Sequence, residues 1–167
     1  MKNALSPLLA VLAAFALVGA WSLLPPQDVF ISDLEVEVVS WYWAEPQRDA
    51  STDGNSLMIG ERWFARGYGV HAATELKVPV PSTAKAFITY IGIDDEVGEE
   101  VPSSVQFIII GDGATLYESP MMVATDPPRR VYLNVEGIAE LRLIATDGGD
   151  SPNHDHADWA NARFLSD

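Results

Sequence analysis

The sequence predicts an all-β domain, an antiparallel β-sandwich of the jelly-roll type, preceded by an N-terminal apolar export helix. Apolar side chains recur at alternate positions in short segments, and turn-forming residues separate these segments. No segment after residue 27 shows sustained helical periodicity, and parallel βαβ units would require helices between strands. About seven to nine short strands with frequent turns are typical of a jelly roll or a related Greek-key sandwich.

The first 27 residues are predicted to be an export segment with a short linker, followed by the sandwich at 28–167. Lys2 precedes an uncharged apolar run from Ala4 to Leu24. The small residues at 18–20 suit a signal peptidase, while the run is also long enough to span a bilayer. A cleaved signal peptide and a retained membrane tether both place the domain outside the cytoplasm, as a secreted, periplasmic or outward-facing anchored protein.

The charge of the exported part excludes one class of partner. All 24 acidic residues follow position 27, against 9 of the 10 basic residues, which gives 9 − 24 = −15. Such a surface repels nucleic acid phosphates, so nucleic-acid binding is not expected. The chain has no cysteine, and therefore neither a disulfide framework nor a lipid-modified cysteine.

The strands are predicted from the order of apolar and polar residues. Leu34, Val36 and Val38 alternate with acidic residues, which places apolar side chains on one face of a half-buried first strand. Further strands are predicted in seven β-rich runs, at 61–65, 75–80, 84–93, 104–110, 130–135, 140–145 and 159–165. Turn signals stand between them at 53–55, 111–113, 126–128 and 147–149.

Aromatic and polar residues at two strand ends are candidates for sugar binding. By alternation, the segment Trp41–Trp43 must turn at least one ring toward solvent, and Trp43 is the candidate for stacking on a sugar. Arg48 follows as a side-chain donor to hydroxyl groups, or as one partner of a surface ion pair. The glycines at 67 and 69 permit a tight turn or bulge that aims His71 at a sugar hydroxyl. The alternative for His71 is a buried, hydrogen-bonded histidine that joins two loops.

Acidic residues and a tryptophan at two further strand ends are also candidates. Asp94, Asp95 and Glu96 directly follow an apolar strand, where carboxylates can bind calcium or accept hydrogen bonds from sugar hydroxyls. Since neighbouring residues of a strand face opposite sides, Asp94 is assigned to the metal, and Asp95 and Glu96 to the sugar. Trp159 either stacks on the sugar or fills the core of the sandwich.

The polar segment 147–163 carries the candidate metal ligands. Asp147, Asp150 and Asp155 lie close together in sequence, and a bound cation would remove their mutual repulsion. With Asp94 they are the predicted calcium ligands, the alternative being a solvated acidic turn. Zinc at His154 and His156 is less well supported, because a third ligand is not evident.

Four motifs together carry a family resemblance. They occur in order at 67–72 with 75–76, at 92–98, at 111–113 with 116–120, and at 141–143 with 146–150 and 155–163. In these segments the chain resembles the NPCBM domain, a family related to carbohydrate-binding module family 51, over about residues 30 to 165. The resemblance implies a galactose-binding-like β-sandwich, usually attached to secreted glycoside hydrolases, with a structural calcium ion in characterised relatives.

Catalysis is not expected. No pair of carboxylates is singled out for glycoside hydrolysis, and neither a Gly-x-Ser-x-Gly motif nor a cysteine nucleophile is present. The predicted function is therefore non-catalytic binding of a galactose-like terminal sugar on extracellular or envelope glycans. Two alternatives remain: a cell-envelope domain that binds a protein partner, its sugar site decayed, and an accessory module of a glycoside hydrolase.

Overall fold

The computed structural model describes residues 27–98 and 100–166. The predicted export helix lies outside these residues. Within the described part of the chain, no helix is long and apolar enough to cross a membrane.

Thirteen strands and two short 3₁₀ helices make up the described domain, and the strand pairs are antiparallel. The 3₁₀ helices are Ile31–Asp33 and Asp95–Val97. The strands are β1 (Val29–Phe30), β2 (Glu37–Ser40), β3 (Gln47–Arg48), β4 (Leu57–Ile59), β5 (Arg62–Phe64), β6 (Gly67–His71), β7 (Thr74–Pro79), β8 (Ala86–Ile93), β9 (Gln106–Gly111), β10 (Ala114–Glu118), β11 (Arg129–Asn134), β12 (Glu140–Thr146) and β13 (His156–Leu165).

Two sheets face each other across the core. The first has the order β11-β8-β13-β6-β3, with β1 also paired to β13, and the second has the order β10-β9-β12-β7-β2. The β4–β5 hairpin forms a separate two-stranded sheet. The predicted all-β sandwich is therefore confirmed. Except for β9 and β10, neighbouring strands in the two sheets are not consecutive in the chain, as in Greek-key folds.

The core contains the apolar side chains of the alternating strands. On β9 and β12 the residues at every second position are buried, including Phe107, Ile109, Leu141 and Leu143. Trp159 is fully buried and meets Phe107 edge to face, with 5.1 Å between ring centroids. A side chain in this position cannot stack on a ligand, so the prediction of Trp159 as a sugar-binding residue is wrong and its alternative, core packing, is correct.

β6 is a central strand of the first sheet because its glycines allow close approach. A Cβ at Gly67, where φ is +145°, would lie 2.4 Å from the Trp159 carbonyl oxygen. A Cβ at Gly69 would lie 2.4 Å from the Ala50 carbonyl oxygen. The backbone of β6 is thus held directly against β13 and the loop before β4, and His71 at its end takes a fixed position.

Most predicted strands are present within a few residues of their predicted bounds, but the first one is displaced. The alternating segment that begins at Leu34 forms a strand only from Glu37 to Ser40, because the 3₁₀ helix ends at Asp33 and an irregular stretch follows. Five strands have no counterpart among the predicted ones: β1, β3, β4, β6 and β10.

Candidate functional site

A pocket of about 400 Å³ opens where three segments meet at one end of the sandwich. Tyr42 and Trp43 come from the loop after β2, and His71 comes from the end of β6. Asn153, His154 and His156 come from the loop before β13 and from its first residue. All three histidines of the chain therefore line this one pocket.

The Trp43 ring forms the exposed wall of the pocket. Its side chain is 61% exposed, and its ring centroid lies 5.3 Å from that of His71. It also lies 6.0 Å from the ring of His156, with 25° between the two planes. The structure thus brings together Trp43 and His71, which the sequence predicts as sugar-binding residues, and leaves a large aromatic surface uncovered beside them.

His71 offers a hydrogen-bond acceptor at the pocket. Its ring is buried, and Nδ1 lies 2.7 Å from the Ala72 carbonyl oxygen, to which it donates. Burial lowers the pKa of His71, and the nearby His156 contributes in the same direction. The imidazole is therefore neutral near pH 7, with its proton on Nδ1 and an acceptor lone pair on Nε2.

His156 is oriented by Glu96 and lies beside His71. His156 pairs with His71 in the β6–β13 register, and the two ring centroids are 5.3 Å apart. Its Nδ1 donates to Glu96 Oε1 over 2.7 Å. Burial lowers the pKa of His156, but the hydrogen bond and charge of Glu96 outweigh burial and raise that pKa above its ordinary value. Glu96 thus favours the protonated form of His156, and in that form Nε2–H is a donor beside the Nε2 acceptor of His71.

Glu96 is saturated by donors. Besides His156, it accepts hydrogen bonds from the Ser51 hydroxyl, the Asn55 side-chain amide at 3.0 Å and the Asp53 backbone amide at 3.2 Å. Burial raises the pKa of Glu96, yet the hydrogen bonds from His156, Ser51 and Asn55 reverse this effect and bring the pKa to about 2. Glu96, predicted to bind sugar, therefore acts on the pocket by orienting His156.

Asp95 and Arg48 do not line this pocket, contrary to their prediction as sugar-binding residues. The two carboxylate oxygens of Asp95 accept from the backbone amides of Gly60 and Glu61, each at 2.7 Å, and so fasten the β4–β5 turn. Arg48 lies on the edge strand β3, with its guanidinium 6.0 Å from the Tyr68 ring. Asp95 is displaced from the pocket because the 3₁₀ turn from Asp95 to Val97 ends the strand. The strand alternation that predicts Asp95 as a sugar-binding residue therefore does not continue to this position.

Asp94 is separate from the other predicted calcium ligands. It is 1% exposed and accepts from the Met58 amide at 3.0 Å and the Glu96 amide at 2.9 Å. Burial, and secondarily the charge of Asp94, raises the pKa of the neighbouring, fully buried Asp158 well above its ordinary value. The assignment of Asp94 to a common metal site is wrong, because its oxygens anchor β4 and the Glu96 turn.

Two of the remaining predicted calcium ligands, Asp150 and Asp155, contact Ser104, and the charge of Asp147 acts on Asp155. Asp155 Oδ1 accepts from the Ser104 amide at 2.9 Å, and the Ser104 hydroxyl lies 3.1 Å from both carboxylate oxygens of Asp150. Asp155 is fully buried, and its Oδ2 has no hydrogen-bond partner among the described residues. Burial, reinforced by the charges of Asp150 and Asp147, raises the pKa of Asp155 to about 6.

Sequence reasoning missed part of the pocket. From the sequence, His154 and His156 are expected only as zinc ligands, Tyr42 is one of three aromatic residues among which Trp43 is the candidate, and Asn153 has no predicted role. Among the described residues, the one group of three potential ligands whose atoms lie within 4.8 Å is Asp53, Glu96 and His156. The alternation His154-Asp-His156 was the available signal, but the pairing of His156 with His71 depends on the register of strands far apart in the sequence.

Proteins of known sequence similar to this chain carry carbohydrate-related names. A family model described as "NPCBM/NEW2 domain" matches residues 27–165. A "Putative endo-alpha-N-acetylgalactosaminidase" of Renibacterium salmoninarum is 30% identical over 148 residues, which cover 84% of this chain and 10% of that protein. "Alpha-1,3-galactosidase B" of Akkermansia muciniphila is 32% identical over 126 residues, which cover 73% of this chain and 16% of that protein. The chain thus spans a small part of these relatives.

Solved structures share the fold of the described domain. A CBM51 from a Clostridium perfringens GH95 protein, in complex with methyl-galactose, has a TM-score of 0.79 and 29% identity, with 83% of this chain and 100% of that chain covered. CBM51-2 with the INT domains of C. perfringens ZmpB, in complex with GlcNAc, has a TM-score of 0.78 and 29% identity, with 83% and 31% covered.

Proposed function

Because the chain belongs to the NPCBM/NEW2 domain family, a family of non-catalytic carbohydrate-binding modules, we propose that its domain binds a galactose-like terminal sugar of a glycan. The proposed site is the pocket of Trp43, His71 and His156. The observation that carries the proposal is the placement of an uncovered tryptophan ring next to two adjacent imidazoles.

The pocket chemistry matches a pyranose. The apolar C–H face of such a ring packs on an exposed indole, which removes apolar surface of both partners from water. Each sugar hydroxyl both donates and accepts, so one hydroxyl can donate to Nε2 of His71, and a neighbouring hydroxyl can accept from Nε2–H of His156 when that imidazole is protonated. Since neither imidazole has to lose its Nδ1 contact, both are oriented before the ligand arrives.

The same geometry gives no support to hydrolysis. A glycosidase requires a carboxylic acid with a raised pKa beside the scissile bond. The carboxylate nearest the histidines, Glu96, has its pKa lowered to about 2 and is therefore ionised throughout the physiological range. We expect binding without turnover, with a weak Kd on the order of 10 μM to 1 mM for one sugar held by a single stacked ring.

We further propose a structural calcium ion at Asp155, Asp150 and Asp147. The donor chemistry fits, because a buried carboxylate oxygen without a partner stands beside two further carboxylates. A bound Ca²⁺ would neutralise their mutual repulsion. The loop between Asp150 and His156 also carries Asn153 and His154 to the pocket, so an ion here would hold two pocket residues in place.

Export and attachment also belong to the proposal. A domain that reads extracellular or envelope glycans has to leave the cytoplasm, in agreement with the export segment predicted at 1–27, as a signal peptide or as a membrane tether. The matched glycosidase relatives, of which the chain covers 10% and 16%, favour the role of an accessory module that delivers a hydrolase to its substrate.

Titration calorimetry with methyl-galactose and GlcNAc tests the sugar site. Trp43→Ala should reduce affinity at least tenfold, whereas Trp63→Ala, a matched control whose ring is also 61% exposed but belongs to the β4–β5 hairpin, should leave it unchanged. Thermal melts verify folding of both variants. Equal binding by the two variants would place the site elsewhere, and a wild-type domain that binds no glycan would favour the protein-interaction alternative.

A further inference from the structure

The outer face of the first sheet carries arginines without acidic partners. Arg66, Lys77, Arg142 and Arg163 each form an ion pair within 4.0 Å. The other five basic residues of the described domain pair with no acidic group among the described residues, and all five are exposed: Arg48, Arg62, Lys85, Arg129 and Arg130. Two of them, Arg62 and Arg130, lie on segments that meet at Tyr90, in a domain with 24 acidic against 9 basic residues.

The β4–β5 hairpin brings Arg62 to Tyr90 on β8. The hairpin lies directly on β8, where a Cβ at Gly92 would be 2.4 Å from Ile59 Cγ2. Its turn touches the segment just before β11, because a Cβ at Gly60 would be 3.0 Å from Pro128 Cδ. Arg62 follows this turn, and its guanidinium carbon lies 4.1 Å from the Tyr90 ring centroid. Arg130 is the register partner of Tyr90 on the neighbouring strand β11, so the two side chains lie on the same face of the sheet.

The two guanidinium groups are held by aromatic rings rather than by carboxylates. Besides Tyr90, Arg62 lies 4.8 Å from the Phe64 ring, and Arg130 lies 5.8 Å from the Tyr132 ring. Stacking occupies the flat face of a guanidinium and leaves its edge N–H donors free for a planar or tetrahedral oxyanion. The Tyr132 ring, 58% exposed, offers an apolar face for a sugar ring next to them.

We propose that Arg62, Tyr90, Arg130 and Tyr132 form a second glycan-binding site, which recognises an acidic sugar through its carboxylate or sulfate group. This surface is separate from the Trp43 pocket: Tyr90 pairs with Ala160, four residues along β13 from His156, or about 13 Å at the rise of a strand. Because the rest of the domain is acidic, local bidentate contacts and not the long-range field hold such a ligand.

The test uses the folded domain carrying Trp43→Ala, which removes the neutral sugar site of the proposed function. We would titrate it with 3′-sialyllactose, 3′-sulfolactose and lactose, and follow binding by NMR. At least one of the two acidic sugars should bind while lactose does not, and the acid that binds identifies carboxylate or sulfate as the ligand group. Resonances of Tyr90 and Tyr132 should shift.

Charge variants decide which residues are responsible. Arg62→Gln and Arg130→Gln, each added to Trp43→Ala, should weaken binding of the acidic sugar at least tenfold. The control Arg142→Gln, whose guanidinium pairs with Glu75 on the opposite sheet, should change it less than twofold. If Arg62→Gln disturbs the hairpin, Arg130→Gln on the exposed edge strand still gives the answer.

Three results overturn the proposal. They are no binding of either acidic sugar, equal binding of lactose, or undiminished binding by both folded variants, Arg62→Gln and Arg130→Gln. None of these results bears on methyl-galactose binding by the wild type, so the two sites stand or fall separately.

Discussion

Two buried carboxylates close to the pocket, Glu96 and Asp155, lie in different electrostatic environments, which shift their pKa values in opposite directions. Glu96 accepts four hydrogen bonds, one of them from an imidazole, and its pKa falls to about 2. Asp155 accepts one bond from a backbone amide, lies near two further acids, and its pKa rises to about 6. Burial alone therefore does not decide the charge state. The number of hydrogen-bond donors decides it, and the proposed calcium ion would supply the positive charge that the Asp155 region lacks.

The largest effect is expected from replacing Glu96. Glu96→Ala leaves Ser51, Asn55 and His156 without their common hydrogen-bond acceptor in a poorly solvated place, so the free energy of unfolding should fall by about 3 to 4 kcal/mol. Urea denaturation measures this loss. Glu118→Gln, which alters a carboxylate with a single hydrogen bond from Gln106, is the control and should change stability by less than about 0.5 kcal/mol. A similar loss in both variants would contradict the proposed role of the network.

Calcium should act on the other region alone. An ion bound only by the native state adds RT ln(1 + [Ca]/Kd), or about 2.7 kcal/mol at a hundredfold excess over Kd. The melting temperature should then rise by several degrees, at about 2 to 4 °C or somewhat more per kcal/mol. Asp155→Asn should abolish the increment, while Glu136→Gln, an exposed acid in a distant turn, should keep it. If calcium does not change the melting temperature of the wild type, the result would contradict the calcium site and favour the alternative, a solvated acidic turn.

Without calcium, pH should separate the two carboxylates. The folded-state pKa of Asp155 is raised to about 6. Ionisation of this carboxyl therefore does not affect the free energy of unfolding below about pH 4, and it lowers that free energy by an increasing amount as the pH rises to about 6. Glu96 has the opposite sign, because its contribution is present above its ordinary pKa and is lost as pH falls toward 2. Asp155→Asn should thus be more stable than wild type at pH 7, by an amount on the order of 1 to 3 kcal/mol.

The two proteins should then converge near pH 4. Chelator-treated samples compared by urea denaturation between pH 4 and pH 7.5 give the result. A difference that does not change with pH would show that Asp155 keeps its ordinary pKa in the folded state.

The smallest effect is expected outside both regions. Arg48 does not line the pocket, and its side chain contacts Tyr68 and the Leu34 carbonyl oxygen. Arg48→Ala should therefore change methyl-galactose affinity less than twofold, about 0.4 kcal/mol. Calorimetry on this variant sets the baseline for the other experiments. A tenfold loss would restore the sequence-based assignment of Arg48 to the sugar site.

Much of the fold was predictable, because alternation and turn residues report local geometry. The long strands β8, β9, β12 and β13 all appear in the sequence as apolar runs between turn signals. The burial of Trp159 could not be decided in advance, since alternation shows which residues share a face but not which face meets the other sheet. That choice is made by the partner strand, here through Phe107.

The candidate site was predictable only in part. Trp43 and His71 were found because an aromatic strand end and a glycine-flanked histidine are visible in sequence. The different partners of Asp95, which binds the β4–β5 turn, and Glu96, which binds His156, were not visible, because they depend on one 3₁₀ turn at the end of β8. His156 was missed as a pocket residue because it meets His71 only through pairing between residues 85 positions apart.

That pairing of His71 with His156 ties the pocket to the interior. Strand side chains alternate with a period of two, so sliding β13 by one residue would remove His156 from its place and at the same time turn Trp159 outward. The large hydrophobic loss on exposing Trp159 therefore also enforces the spacing of the two imidazoles. A substitution deep in the core that loosens Trp159 should weaken ligand affinity without touching the pocket, and the pocket itself is free to accept new side chains without endangering the alignment of the sheet.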